Sequence, residues 1–270
     1  MTISVVMPIY NCAEYLNAAI QSVLAQSYPD WQLVIIDDGS VDGSLAIARS
    51  YSRTDYRISV FQMTRNSGVG AALDYGMSLV TGDYIARMDG DDISLPLRFE
   101  KQVEFLEKHK DIVAVGSQVE LIDGRSKSVG IKRFPLSHEA IERCMYLTIP
   151  MQHPTIMIRH SMIPKSFSWY DGWRLADDTH LLFKLLKLGR LANMDCVLLR
   201  YRYMAGSVSL ANPRQTFAAT MRARRLAVED GYVPTARQRT ICVLQAILVA
   251  VLPDAAIRRI ARISHNTEAQ

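Results

Sequence analysis

The N-terminal third of the chain alternates between short apolar runs and helix-like segments, and that alternation admits few architectures. The spacing predicts strands over Ile3 to Ile9, Gln32 to Asp37, Arg57 to Met63 and Asp83 to Met88. Between them it predicts a helix from an Asn11-Cys12-Ala13-Glu14 capping box to about Gln26, a second capped by Ser40 and running to about Tyr51, and a third over Gly70 to Val80. Strand–helix alternation at this spacing builds βαβ units, hence an α/β fold around a mostly parallel sheet. Such sheets bind ligands beyond the carboxyl ends of their strands. The acids lie there: Asp37 and Asp38 end the second strand, and Asp89 to Asp92 follow the fourth.

Further on, Leu97 to Lys108 reads as a helix opened by Pro96, and Ile112 to Ile122 as a longer strand. Residues 123–172 look irregular, with short strands around Lys132 and Ile156 and a helix near Glu139. Leu175 to Leu188 reads as a helix stopped by Gly189, and Leu191 to Tyr203 as a strand. Helices are expected over 214–230 and 235–263, interrupted at Pro234 and Pro253. The expected division is a first domain over 1–212, whose pattern changes at about 122, and a helical C-terminal region over 213–270.

The stretch Ile85-Ala86-Arg87-Met88-Asp89-Gly90-Asp91-Asp92 is the sharpest chemical signal. An apolar strand ends in three crowded carboxylates, whose mutual repulsion stability alone would not select. A divalent cation relieves it, since hard cations such as Mg²⁺ take oxygen ligands and share them with substrate phosphates. The bland alternative is an acidic surface turn. Asp37-Asp38-Gly39-Ser40 offers a carboxylate that can accept from the imide N–H of uracil or thymine, or else a helix cap and turn. Asp177-Asp178 opens a helix; the pair either caps it or supplies a general base for a sugar hydroxyl. His153, before Pro154 and a strand, is either structural or site-lining.

Other chemistries are poorly supported. Cys12, Cys144, Cys196 and Cys242 lie far apart with no CxxC spacing, so zinc and a disulfide framework are not expected and free thiols in a reducing cytosol are. A nucleophile elbow and a P-loop are absent, and Gly68-Val69-Gly70 lacks the third glycine of a dinucleotide fingerprint. The N-terminus lacks the basic start and long apolar core of a signal peptide.

Taken together, these segments resemble family 2 glycosyltransferases, inverting nucleotide-sugar enzymes of the GT-A fold. Ser4-Val5-Val6-Met7-Pro8-Ile9-Tyr10-Asn11 is similar to the family's opening strand, and Val34-Ile35-Ile36-Asp37-Asp38-Gly39-Ser40-Val41-Asp42 to its second-strand signature. Asn66 to Gly76 resembles the following loop and helix. Asp89-Gly90-Asp91-Asp92, with Pro96 and Arg98 after it, resembles the metal-binding DxD region, and Asp177-Asp178 stands where the family carries Glu-Asp. The resemblance implies a Rossmann-like sheet with flanking helices as the catalytic domain over 1–212, its nucleotide-binding half about 1–122 and its acceptor half about 123–212, plus a basic amphipathic helical extension over 213–270. It implies that Pro8, Tyr10 and Asp38 hold the nucleobase, that Asp89 meets ribose or metal, and that Asp91, helped by Asp92, coordinates Mn²⁺ or Mg²⁺ on the diphosphate. Asp178 would be the base; Asp177, His153, Arg98 and Arg202 would line the acceptor side or support it. The implied donor is a nucleoside-diphosphate sugar, UDP or dTDP favoured over GDP, and the implied acceptor a saccharide or lipid-linked saccharide of bacterial surface polysaccharide. The chain departs from the family pattern at Met204, where many members have His, and in lacking an Arg near Ala72.

Two other functions compete. A sugar-1-phosphate nucleotidyltransferase should show a Gly- and Lys-rich loop near its N-terminus, and residues 8–16 contain neither. A non-catalytic scaffold subunit would fit Met204, but not the retention of Asp38, Asp89, Asp91 and Asp178.

Charge is concentrated at the C-terminus. Residues 214–263 carry nine Arg and no Lys against Glu229, Asp230 and Asp254, whereas the whole chain nets only +4. Ile241 to Leu252 is apolar but shorter than the roughly 18 residues needed to span a bilayer. Past Pro253, isoleucines alternate with Arg258, Arg259 and Arg262, the pattern of a helix lying on an anionic membrane. The expectation is a cytoplasmic protein, peripheral on the inner face of the membrane. Aromatic residues do not interleave with these arginines, which argues against nucleic acid.

Overall fold

The computed structural model describes residues 1–203 and 212–257. Strands β1 (Ile3–Ile9), β2 (Trp31–Asp37), β3 (Ile58–Gln62) and β4 (Tyr84–Arg87) run parallel in the order β3-β2-β1-β4. They are joined by α1 (Ala13–Leu24), α2 (Ser44–Ser52) and α3 (Val69–Met77). Every residue of β1 is buried, as a strand covered on both faces requires. Successive residues serve opposite cores: Val5 and Met7 pack with Leu16 and Ile20 of α1, while Val6 packs with Leu73 and Met77 of α3. The chain steps from β1 to β2 and β3 on one side, then returns to lay β4 on the other. This reversal opens a crevice at the carboxyl ends of β1 and β4.

The second half mixes directions. It comprises β5 (Ile93–Ser94), α4 (Arg98–Lys108), β6 (Ile112–Ile122), β7 (Ser128–Lys132), α5 (His138–Met145), β8 (Met157–Arg159), α6 (Asp177–Leu186) and β9 (Arg190–Arg202). Here β9 runs parallel to β6, whereas β8 is antiparallel to β4 and β6, β7 to β6, and β5 to β9. The parallel character expected of the sheet therefore holds for β1–β4, and the completed nine-stranded sheet is mixed. Parallel neighbours need a long crossover, and the short 123–127 connection between β6 and β7 permits only a hairpin.

Two expected caps are corrected. Asn11 sits at φ +48° and its segment forms no capping box; the α1 N-cap is Cys12, without a side-chain cap bond. The first amides of α1 are satisfied from the β2–α2 turn: Cys12 N donates to Ser44 Oγ (2.9 Å) and Ala13 N to Asp42 Oδ2 (3.1 Å). Ser40 does not cap α2, which begins at Ser44; its Oγ accepts from Asn11 N at 3.0 Å. The two turns at the crevice are thus bonded to each other.

Helices α7 (Pro213–Glu229) and α8 (Ala236–Val251) pack beside α5 and α6. Tyr232, between them, stacks on Tyr146 and meets Phe183 edge-on. A Thr235/Gln238 capping box starts α8, which stops before Pro253. No helix among the described residues is long and apolar enough to cross a membrane. Met204 and residues 258–270, with Arg258, Arg259 and Arg262, lie outside the described residues.

Candidate active site

Strand β4 delivers the acidic turn to the crevice. Carboxylate oxygens of Asp89, Asp91 and Asp92 lie within 4.8 Å of one another. A Cβ at Gly90 would fall 2.7 Å from Ile9 Cγ2 and 3.0 Å from Cys12 Sγ, so only glycine lets the turn press against the end of β1. From the other side Arg202, at the end of β9, grips the turn. Its backbone N donates to Asp92 Oδ1 (2.8 Å), its Nε to the Asp91 carbonyl (2.8 Å), and its Nη1 to the Asp123 carbonyl (2.7 Å). Arg202 is itself buried, and so acts by holding the turn. Arg98 is fully buried behind the strand end, donating to the Arg87 carbonyl (2.8 Å) and to Gln102 Oε1 (3.1 Å), and leaves no surface for an acceptor to touch.

The cluster fits a divalent cation. Asp92 Oδ2 is buried and has no hydrogen-bond partner. Burial, then Asp89, pushes Asp91 up to about 6; burial, then Asp91, pushes Asp92 well above the usual carboxylate range. An orphaned carboxylate oxygen within a set of hard oxygen donors is an arrangement Mn²⁺ or Mg²⁺ relieves.

One residue that sequence reasoning passed over sits at the centre. Arg87 is buried and ion-paired to Asp89. Burial opposes its charge, but Asp89, with Tyr170 and Asp177 behind it, more than compensates and holds the guanidinium above its ordinary value. The same charge opposes the upward shift of Asp91, Asp92, Asp177 and Asp178, and so acts on both acidic groups. Its only sequence signal was a lone cation inside the apolar run Ile85-Ala86-Arg87-Met88.

Asp177 and Asp178 open α6. Asp177 Oδ2 lies 3.6 Å from His153 Nδ1 and makes no hydrogen bond, and His153 Nε2 is 3.0 Å from Tyr170 Oη. Burial, then Arg87, keeps His153 well below its ordinary pKa and therefore neutral. Burial, then Asp178, lifts Asp177 to about 7. Burial raises Asp178 as well, against the pull of Thr179, whose N donates to Asp178 Oδ1 at 2.6 Å.

These shifts carry a pH prediction. A carboxyl with a raised folded-state pKa binds its proton better when folded. Its contribution is fully present below the unfolded value near 4 and is lost as pH climbs through the folded value. For Asp177 the window runs from about 4 to about 7. The melting temperature of metal-free Asp177→Asn, measured against wild type, is therefore expected to improve by several degrees across that window. A difference that stays flat with pH would show that the Asp177 carboxyl is not perturbed.

At the carboxyl end of β1, Tyr10 stands 46 % exposed, and Pro8 pairs in register with Ile36. Asp38 is buried, and both its oxygens are engaged: Oδ1 accepts from Ser67 N (2.7 Å) and Oδ2 from Gly68 N (2.8 Å). Over the 66–68 loop lies Arg174, donating to the carbonyls of Ser67 (3.1 Å) and Asn66 (3.3 Å). Asp74 accepts from Tyr170 N and Gly172 N, both at 2.8 Å, and so ties the 170–174 segment to α3. Neither Arg174 nor Asp74 carried a sequence signal, because each acts on a partner far along the chain. Asp38 is thus tied through the 66–68 loop to Arg174, while the charge of Arg87 acts on both Asp89 and Asp177.

Residues 4–166 match the family model described as Glycosyl transferase family 2. The chain belongs to glycosyltransferase family 2. Among relatives, EpsE of Bacillus subtilis is 42% identical over 161 residues, covering 59% of this chain and 56% of EpsE, so the match spans little more than half of that relative. AmsE of Erwinia amylovora, an amylovoran biosynthesis glycosyltransferase, is 31% identical over 78% of this chain and 79% of its own length. WbnJ of Escherichia coli, an O-antigen biosynthesis glycosyltransferase, is 30% identical over 74% and 79%. Among solved structures, Staphylococcus aureus TarS with UDP-GlcNAc superposes with TM-score 0.69 at 18% identity, covering 90% of this chain and 70% of that one. The mannosyltransferase PcManGT of Pyrobaculum calidifontis, with GDP-Man and Mn²⁺, gives 0.64 at 17% identity, over 97% and 75%. The curled mixed sheet with flanking helices is the GT-A-type fold shared with these neighbours.

Proposed function

We propose that this protein is an inverting, metal-dependent glycosyltransferase that moves a sugar from a nucleoside diphosphate to a hydroxyl of a saccharide or lipid-linked saccharide in surface-polysaccharide assembly. The observation that carries this reading is the convergence, across one buried arginine, of a three-carboxylate cluster and a second carboxylate pair. The names of AmsE and WbnJ favour polysaccharide acceptors, and the nucleotide sugars bound by TarS and PcManGT favour UDP or GDP donors. The basic C-terminal region would keep the enzyme on the cytoplasmic face of the membrane.

In this reading Tyr10 offers its ring to the nucleobase, while Asp38 shapes the base pocket by holding the 66–68 loop. A divalent cation held by Asp89, Asp91 and Asp92 would supply positive charge against the departing nucleoside diphosphate. Arg87 keeps Asp89 oriented. Thr179 occupies Asp178 Oδ1, which leaves Oδ2 to take the acceptor hydroxyl proton as that oxygen attacks the anomeric carbon. One displacement from the face opposite the leaving group inverts the centre. Asp177, lifted to about 7, stays partly neutral at working pH and spares Asp178 a full adjacent charge.

Titration calorimetry of UDP, dTDP and GDP, with and without Mn²⁺, tests the reading. At least one nucleotide should bind in a Mn²⁺-dependent manner, and silence from all three would overturn it.

A further inference from the structure

Helix α8 is amphipathic the wrong way round for a helix that only packs on its own protein. Only Gln238 and Cys242 of this helix are buried, with Ile241, Gln245, Ala246 and Val249 half-buried. Gln238 Nε2 donates to the Arg143 carbonyl (2.9 Å), and Arg224 Nη1 reaches both Cys242 Sγ (3.4 Å) and Gln245 Oε1 (3.0 Å). Its outward face is aliphatic: Val243, Leu244, Ile247, Leu248 and Val251 follow helical spacing and are 52–76 % exposed. A continuous stripe of this kind on a helix roughly 24 Å long is a surface that something covers. Next to it, a shallow groove of about 540 Å³ between α7 and α8, lined by Tyr146, Met221, Ala246 and Ala250, continues the apolar surface inward.

We infer that the outer face of α8 is a membrane-docking surface that seats the enzyme on an anionic bilayer. Charge selects this occupant. From Gly231 to Pro253 the chain holds Arg237 and Arg239, both exposed, and no acid, and the flanking Asp230 and Asp254 are paired with Lys187 and Arg214. The sequence beyond Ile257 adds Arg258, Arg259 and Arg262 against Glu268 alone. Aliphatic side chains flanked by arginines match a lipid interface, with the stripe among acyl chains and the guanidinium groups at phosphates. A helix lying flat needs no spanning length, consistent with α8 being too short to cross. The inference refines the membrane contact proposed above by placing it on α8, and it is independent of the transfer chemistry.

The test is flotation of the full chain with phosphatidylcholine vesicles, with and without phosphatidylglycerol. Wild type should float with the anionic vesicles. The double variant Leu244→Glu/Leu248→Glu alters only exposed positions, so folding should be kept, and its partition should fall by roughly tenfold or more. Arg237→Glu/Arg239→Glu should lose the preference for anionic lipid. Calorimetric nucleotide binding should be unchanged in both variants, which separates failure of this inference from failure of the transferase reading. Three results would overturn the inference: full flotation of the double variant, loss of flotation only when residues 258–270 are deleted, or a wild-type dimer by light scattering that the double variant dissolves while flotation is absent throughout.

Discussion

Replacing Asp178 by asparagine is expected to lower turnover by about 100-fold or more while nucleoside-diphosphate affinity changes little. The amide keeps the shape of the side chain and can still accept from Thr179 N, so α6 retains its first turn. What it loses is the capacity to take a proton from an attacking hydroxyl. Steady-state transfer assays should place the loss in kcat, and calorimetry should show the donor site intact. Asp177→Asn is the control, because its carboxylate lies toward His153 rather than free at the crevice. If Asp178→Asn kept full activity, or if Asp177→Asn were the more damaging change, the base would be misassigned.

Asp91→Asn is expected to weaken Mn²⁺-dependent nucleotide binding and transfer by roughly 100-fold or more, on the scale of charge stabilisation lost with a metal ligand. The prediction has a second half. Asp91 is pushed up to about 6 by burial and by Asp89, so in metal-free protein its charge is a strain rather than a support. Removing it should leave the metal-free melting temperature at neutral pH unchanged or higher. Wild type should gain stability on adding Mn²⁺, whereas the Asp91→Asn variant should gain little. A variant that melts lower without metal would mean that Asp91 is structural, and the cation site would have to be sought elsewhere.

Several features could be read before any fold was known, and for local reasons. The β1–β4 strands and the three helices between them follow from apolar runs and turn residues within a few positions of each other. The acidic turn was visible because three carboxylates in four residues are unusual at a strand end. Misreadings arose where the partner was remote. Asn11 and Ser40 look like caps, yet α1 is capped by Asp42 and Ser44 from another turn. The reach of Asp38 to amides 29 and 30 residues ahead was equally invisible in the sequence. Arg98 reads from sequence as either acceptor-side or supporting, and its burial under the β4 end leaves only the supporting role open.

By itself the sequence determined the alternating elements, the residue types at the strand ends, and the concentration of arginine near the C-terminus, since these depend on local propensity and composition. Only the tertiary structure decided that Arg87 joins two acidic groups, that β9 returns Arg202 to clamp the acidic turn, and that α8 turns its aliphatic side outward. The physical reason is that burial and charge pairing depend on which distant segments share a strand end or a helix face, and neighbours in sequence carry no record of that.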